Sequence, residues 1–312
     1  MGSSETKCTA GWGDGLSSSN TARVERSPHP ARAARERPSP LQGRVRKNEP
    51  RRMPSKRAIS YAHVTRSFGS LKAVDDVSLD VAEGEFLAVV GGSGSGKTTL
   101  LRLANRLIEV DAGTITVEGE NVQNVDPVAL RRRIGYVFQS GGLFPHLSVA
   151  DNIGITPRLL GEPAPAIAAR VDELLELVQL DRAAHRDRLP EALSGGQRQR
   201  VGVARALAAK PRIVLMDEPF GALDPLTRDA LGDDYRALHR KLGLTTVMIT
   251  HDMTEAILLA DRIAVMRGGR LLALGTPAEL SNSSEAYVLE LLRTPRRQVE
   301  RLNALLPASG AA

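Results

Sequence analysis

A glycine-rich segment with one lysine carries the residue types and spacing that point most directly to chemistry. The pattern G-x-x-x-x-G-K-[ST] is matched by Gly91, Gly92, Ser93, Gly94, Ser95, Gly96, Lys97 and Thr98, and Thr99 follows. Backbone N–H groups of such a loop surround phosphates, and the lysine reaches the terminal phosphates of a nucleotide. The segment therefore predicts binding of ATP or GTP.

The elements that must hold this loop are also recognisable. The apolar run Phe86–Val90 predicts a buried strand before the loop, and the pattern from Thr98 to Leu107 predicts a helix after it. Glycine allows backbone angles that other residues resist, and the start of a helix favours negative charge. Strand, loop and helix thus follow in the order that phosphate binding requires.

Two further segments carry residues suited to phosphate chemistry. Leu193, Ser194, Gly195, Gly196 and Gln197 precede a basic amphipathic helix, whose N-terminus predicts a second anion site. A Gly-Gly turn before a helix is the ordinary alternative. The apolar run 213–216 ends in Asp217 and Glu218, which places paired carboxylates at the carboxyl edge of a buried strand. Such a pair suits metal-dependent phosphate chemistry.

These motifs, in this order, resemble those of ATP-binding subunits of ABC transporters over residues 58 to 280. The resemblance implies hydrolysis of ATP with Mg²⁺ as cofactor. Glu218 is expected to be the general base, with His251, Gln139 and Lys97 as the other catalytic residues. The expected metal ligands are Thr98, Gln139 and Asp217. No motif departs from the family pattern, so an inactive site is not expected.

The same resemblance assigns the remaining nucleotide contacts. Phe68 is expected to stack on adenine, and residues 91–99 to hold the phosphates. Ser194, Gly195, Gly196 and Gln197 are expected to reach the γ-phosphate that is bound to an opposite subunit. Asp224, with Ala222 and Leu223, matches the D-loop of the family and is expected to contribute to nucleotide binding.

The expected fold is α/β, with a P-loop core of mainly parallel sheet flanked by helices. Short strands at 59–64, 71–74, 77–81 and 115–117 predict an antiparallel β subdomain. An amphipathic helix predicted over 165–180 belongs to an α-helical subdomain of about 140–192. The ATPase domain is expected over 58–295, with a C-terminal tail over 296–312.

Charge separates the first 57 residues from the rest. They hold 13 Lys/Arg and 5 Asp/Glu, a balance of +8, so the remainder of a chain with net charge +6 carries 6 − 8 = −2. Residues 1–57 are rich in Ser, Pro and Arg without apolar periodicity, which predicts a disordered basic leader. Met53 is an alternative start. A basic arm for nucleic acid or anionic lipid is the other interpretation of this segment.

The resemblance also implies partners and a location. A homodimer or paired ATPase subunit, integral membrane permease subunits and, indirectly, a substrate-binding protein are expected, and no nucleic acid. The location implied is the cytoplasmic face of a bacterial inner membrane. The apolar loop 143–147 is the expected permease contact.

Segments 141–153 and 221–228 most resemble the ATPases of glycine betaine, choline and carnitine importers. Importers of polar amino acids or of sulfonate or nitrate remain alternatives, as does a soluble ABC ATPase outside transport. A single motif set with about 96 residues between Lys97 and Ser194 disfavours the last of these. Glu218 and His251 disfavour a module that only binds nucleotide.

Overall fold

Two sheets, one mainly parallel and one antiparallel, organise the chain. The computed structural model describes residues 56–139, 141–221 and 223–305. The strands in this part are β1 Arg57–Phe68, β2 Leu71–Ala82, β3 Phe86–Val90, β4 Ala112–Val117, β5 Glu120–Asn121, β6 Ile134–Val137, β7 Ile213–Asp217, β8 Thr245–Ile249, β9 Arg262–Arg267 and β10 Arg270–Gly275. The α-helices are α1 Lys97–Ala104, α2 Pro127–Arg133, α3 Val149–Leu159, α4 Ala164–Leu177, α5 Arg182–His185, α6 Gly195–Leu207, α7 Pro225–Leu242, α8 Met253–Leu259, α9 Pro277–Leu280 and α10 Ala286–Leu305.

The larger sheet has six strands in the order β10-β9-β3-β8-β7-β6. Its neighbours pair in parallel except for the β9–β10 hairpin. Every residue of β3, β7 and β8 is buried, because helices cover both faces of a parallel sheet. The predicted P-loop core of mainly parallel sheet is confirmed.

The core lies on both faces of this sheet. Along β3, Phe86 and Ala88 join one cluster of buried apolar residues, and Leu87 and Val89 join a second. This division follows from the alternation of side chains along a strand. The central strand is therefore fixed from both sides, and so is the loop that leaves its carboxyl end.

The antiparallel sheet has the order β2-β1-β4-β5. The separate strands predicted over 71–74 and 77–81 form one strand, β2, in the structure. Asp76 within β2 has a φ of 54°, and the pairing with β1 shifts register on either side of Val64. An irregularity of this kind disrupts the apolar alternation locally without ending the strand.

The predicted α-helical subdomain is formed by α3, α4 and α5. Helix α4 occupies most of the range 165–180 and buries Val171, Leu174 and Leu175. Ser148 caps α3 by accepting a hydrogen bond from the Asp151 N–H. Gly154 of α3 lies close to Ile167 of α4, since a Cβ at Gly154 would be 2.8 Å from that side chain.

The C-terminal segment continues as structure past residue 295. Thr276 and Glu279 form the expected capping box at α9, and α10 runs through to Leu305 with Val288 buried. The predicted boundary at 295 thus lies inside a helix. Strand β1 starts at Arg57, while residues 1–55 with Met53 lie outside the described residues, as do 306–312. Among the described helices, none is long and apolar enough to cross a membrane.

Candidate functional site

Residues 91–96 form the connection between β3 and α1, and residues 97–99 form the first turn of α1, as their pattern predicts. Gly91 has a φ of 150° and Gly96 one of 98°, which L side chains rarely adopt. A Cβ at Gly91 would lie 2.1 Å from the Met266 carbonyl oxygen, and one at Gly96 equally close to that of Ala73. The loop is therefore held against two backbones that leave no space for a side chain.

Lys97 is buried at the start of α1 and turned toward its own loop. Its Nζ donates hydrogen bonds to the carbonyl oxygens of Gly91 at 2.8 Å and Gly92 at 3.0 Å. Burial lowers the pKa of Lys97, and the nearby charges of Glu218 and Asp217 oppose that shift. The ammonium thus lies between the loop and the two carboxylates.

Thr98 and Asp217 bring two oxygen donors together. The Thr98 hydroxyl donates to Asp217 Oδ1 at 3.1 Å, and the Arg102 guanidinium is 3.7 Å from Oδ2. Asp217 ends the buried strand β7, and this burial raises the pKa of its carboxyl. Oxygen donors are the ligands that Mg²⁺ prefers, and a buried carboxylate gains from a cation beside it. The two residues fit a magnesium site.

Glu218 is the point where three predicted residues meet. The Gln139 amide donates to Glu218 Oε2 at 2.9 Å, and His251 Nδ1 lies 3.3 Å from the same oxygen. The Glu218 N–H donates to the Ile249 carbonyl at 3.0 Å, and its φ is 48°. The residue thus turns out of the end of β7 while remaining attached to β8. The sheet order places the ends of β6, β7 and β8 side by side.

Ser194 to Gln197 form a separate, ordered helix start. Ser194 Oγ accepts from the Gln197 N–H at 3.2 Å, and Gln197 Oε1 accepts from the Ser194 N–H at 2.9 Å. Ser194 is exposed, while Gly195, Gly196 and Gln197 are partly exposed. Among the described residues, no hydrogen bond or ion pair joins these four to Lys97, Asp217 or Glu218.

Phe68 and Asp224, also predicted to contact the nucleotide, interact with residues close to them in sequence. Phe68 ends β1 with 47% of its surface exposed, and the Arg66 guanidinium lies 4.9 Å from its ring centroid. Asp224 caps α7, accepting from the Thr227 N–H at 3.0 Å, and hydrogen bonds with Thr227 lower its pKa. Ala222 lies outside the described residues.

Arg205 is a buried residue that the sequence prediction left without a role. Its guanidinium donates to the carbonyl oxygens of Gly142 at 2.7 Å and Gly141 at 2.8 Å, in the loop that follows Gln139. It also lies 5.8 Å from the Phe138 ring centroid and 5.9 Å from that of Phe144. The sequence signal that could have identified Arg205 is its position as a charged residue among the apolar residues of α6.

Comparison with known proteins places this arrangement in a family. The family model described as "ABC transporter" matches residues 74–221. The glycine betaine uptake system ATP-binding protein YehX of Escherichia coli is 50% identical over 219 residues, which cover 70% of this chain and 71% of YehX. This chain belongs to the ABC transporter family. The glycine betaine/carnitine/choline transport ATP-binding protein OpuCA of Bacillus subtilis is 50% identical over 229 residues, covering 73% of this chain. The match spans 60% of the length of OpuCA.

A solved ABC structure supports the fold assignment. It is a dimeric post-hydrolysis state of an ATP-binding cassette with ADP and Pi bound. It is 30% identical to this chain with a TM-score of 0.65, covering 70% of this chain and 98% of the cassette. The fold of this chain is therefore that of an ABC cassette.

Proposed function

We propose that this chain is the ATP-hydrolysing subunit of an ABC importer that takes up a quaternary ammonium osmolyte such as glycine betaine, choline or carnitine. The observation that carries the proposal is the meeting of Gln139 and His251 at one oxygen of Glu218, beside Lys97, Thr98 and Asp217. A site that only bound nucleotide would not need this arrangement around a carboxylate.

Each residue has a proposed part in ATP binding. Residues 91–99 surround the phosphates with their N–H groups, apart from that of Gly92, which donates to Tyr287. Lys97 neutralises charge on the γ-phosphate, and Phe68 stacks on adenine. Thr98 and Asp217 hold Mg²⁺, with Gln139 as a further ligand. When bound, Mg²⁺ neutralises charge on the phosphate oxygens as the reaction proceeds.

Hydrolysis requires a water that is oriented and deprotonated. The Glu218 carboxylate accepts the proton of the attacking water, while the Gln139 amide and His251 hold that carboxylate in place through Oε2. A carboxylate base of this kind typically adds about 10² to 10⁴ in rate.

The proposed active unit contains two copies, or this chain with a related ATPase subunit. Ser194 to Gln197 form a partly exposed helix start that, within the described residues, makes no hydrogen bond or ion pair with Lys97. In a head-to-tail pair, this helix start would face the γ-phosphate held by Lys97 of the other copy. Asp224 lies near the same surface, because a Cβ at Gly196 would be 3.2 Å from Leu223.

The proposed membrane contact is the loop after Gln139. Phe144 is 42% exposed and helps line a groove with Phe138, Ile155 and Leu159. We propose that a permease segment occupies this groove, which would bring the chain to the cytoplasmic face of the membrane. Arg205 connects the groove to the loop that carries Gln139.

The osmolyte assignment is supported by the names of the relatives OpuCA and YehX. Its test is the complex with the cognate permease and substrate-binding protein, reconstituted in liposomes. Binding protein loaded with glycine betaine, choline or carnitine should stimulate ATP hydrolysis and solute uptake by the wild-type complex. A complex carrying Glu218→Gln should show neither ATP hydrolysis nor uptake. Stimulation only by an amino acid or an oxyanion would overturn the substrate assignment. No stimulation by any membrane partner would overturn the transport role.

A further inference from the structure

The first turn of α10 contacts the phosphate loop through one tyrosine. Tyr287 Oη accepts a hydrogen bond from the Gly92 N–H at 3.0 Å. Tyr287 is half-buried, whereas Gly92 is exposed. The C-terminal helix is therefore in direct contact with the loop that carries Lys97.

The bonded N–H belongs to the same peptide group as an oxygen that holds Lys97. The Gly91 carbonyl and the Gly92 N–H form one planar unit. Lys97 Nζ donates to that carbonyl at 2.8 Å, while Tyr287 accepts from the N–H at the opposite end. Hydrogen bonds in such a chain polarise and strengthen one another. The plane of a glycine–glycine peptide, which could otherwise turn freely, is thus held from both ends.

Tyr287 is itself held in place. The Arg267 guanidinium lies 4.8 Å from the centroid of its ring, and the adjacent Val288 is fully buried. Arg267 follows Met266 in β9, and the Met266 carbonyl packs against Gly91. The tyrosine hydroxyl and the loop are therefore positioned by the same strand.

We infer that Tyr287 is a positioning residue for ATP binding. It fixes the Gly91–Gly92 peptide, and through that peptide it holds the Lys97 ammonium where the terminal phosphates bind. Loss of the hydroxyl leaves the peptide held only at its carbonyl end, so part of the ordering cost is paid on binding nucleotide. This inference rests on the proposed function of the site.

The test is Tyr287→Phe in the full chain, which removes the hydroxyl and keeps the ring over Arg267. The dissociation constant for a fluorescent ATP analogue and KM for ATP should rise about three- to tenfold, as expected for one hydrogen bond. The value of kcat should stay within about twofold, and Tm without nucleotide should be unchanged, since Tyr287 is only half-buried.

The matched control is Tyr235→Phe. The Tyr235 hydroxyl bonds Thr246 at 2.9 Å in the core, away from the loop, so its loss should lower Tm and leave KM unchanged. An unchanged KM for ATP in Tyr287→Phe, or a loss of Tm as large as that of Tyr235→Phe, would overturn the inference. If the wild-type chain binds ATP in the same assay, the proposed function is unaffected by that result. A wild-type chain that fails to bind ATP would overturn both.

Discussion

Glu218 shows how much of the site follows from residue types and how much needs the fold. An apolar run ending in two carboxylates predicts that Asp217 and Glu218 lie at a strand end, and both do. The sequence does not show that the two carboxylates have different neighbours. Asp217 remains in the strand beside Thr98, whereas Glu218 turns away with a φ of 48° toward Gln139 and His251. Long-range pairing of β7 and β8 produces that turn.

The substitution Glu218→Gln should abolish steady-state hydrolysis and retain ATP binding. The amide keeps the shape of the side chain but cannot accept the proton of the attacking water, so the rate should fall about 10²-fold or more. Phosphate release and equilibrium binding of ATP measure the two properties separately. Exposed Glu162→Gln is the control and should behave as wild type. Turnover near the wild-type rate in Glu218→Gln would remove the carboxylate from the mechanism.

The ionised Asp217 carboxylate should destabilise the nucleotide-free chain at neutral pH. Burial raises its folded-state pKa, so any stability it contributes is present below the unfolded pKa and is lost as the pH rises through the folded pKa. Asp217→Asn should therefore raise Tm at pH 7 by a few degrees without Mg²⁺ and weaken the Mg²⁺ dependence of ATP binding. A lower Tm in thermal melts would show that Thr98 and Arg102 outweigh the cost of burial.

At the scale of elements, helix α7 carries a second ionisable group that affects stability. His239 is buried, and the centroid of its ring lies 5.1 Å from that of the Phe86 ring. Its Nδ1 lies 3.0 Å from the Thr246 hydroxyl oxygen. Burial, with a smaller contribution from Arg236, lowers the pKa of His239 to about 4. The unfolded chain then binds the proton more tightly than the folded chain between pH 6.5 and about 4.

The free energy of unfolding should therefore fall as the pH is lowered through that window, by up to about 3 kcal/mol from this group. Urea unfolding of wild type and His239→Asn at several pH values measures the difference. The variant should be less stable at pH 7 but lose less stability between pH 6.5 and 4. Parallel pH profiles for the two proteins would show that His239 is not the titrating group.

The loop 143–147 is the element expected to transmit coupling to the permease. Phe144→Asp should uncouple the ATPase from its permease, because it removes apolar contact area worth about 1.5 to 3 kcal/mol and inserts a charge. Basal hydrolysis by the isolated subunit should persist. Leu242→Asp, at a 50% exposed side chain at the C-terminal end of α7, is the control. Retained stimulation of Phe144→Asp by the loaded binding protein would move the membrane contact to another surface.

Elements were predictable where local pattern and burial agree. Strand β3, the start of α6 and the capping box at Thr276 follow from apolar runs and cap residues within a few positions. Strand β2 could not be predicted as one element, because Asp76 interrupts the alternation of apolar and polar residues while pairing with β1 continues. The contact between Tyr287 and Gly92 could not be predicted from a local pattern, because the two residues are 195 positions apart in the sequence.

For the whole molecule, the central proposal is that one chain contains two incomplete anion sites. Lys97 lies at one of them, and the helix start at Ser194 is the other. The order of the motifs predicts both sites. For hydrolysis by the proposed mechanism, a second copy must complete each site around ATP.

Size-exclusion chromatography with light scattering of Glu218→Gln, with ATP and Mg²⁺, tests this most directly. Because the variant is expected to bind ATP without hydrolysing it, the closed pair should persist. At micromolar concentration the account predicts a mass of twice 33.5 kDa with ATP and Mg²⁺, and 33.5 kDa without nucleotide. A mass of 33.5 kDa with ATP bound would contradict the shared site and the mechanism of hydrolysis that depends on it.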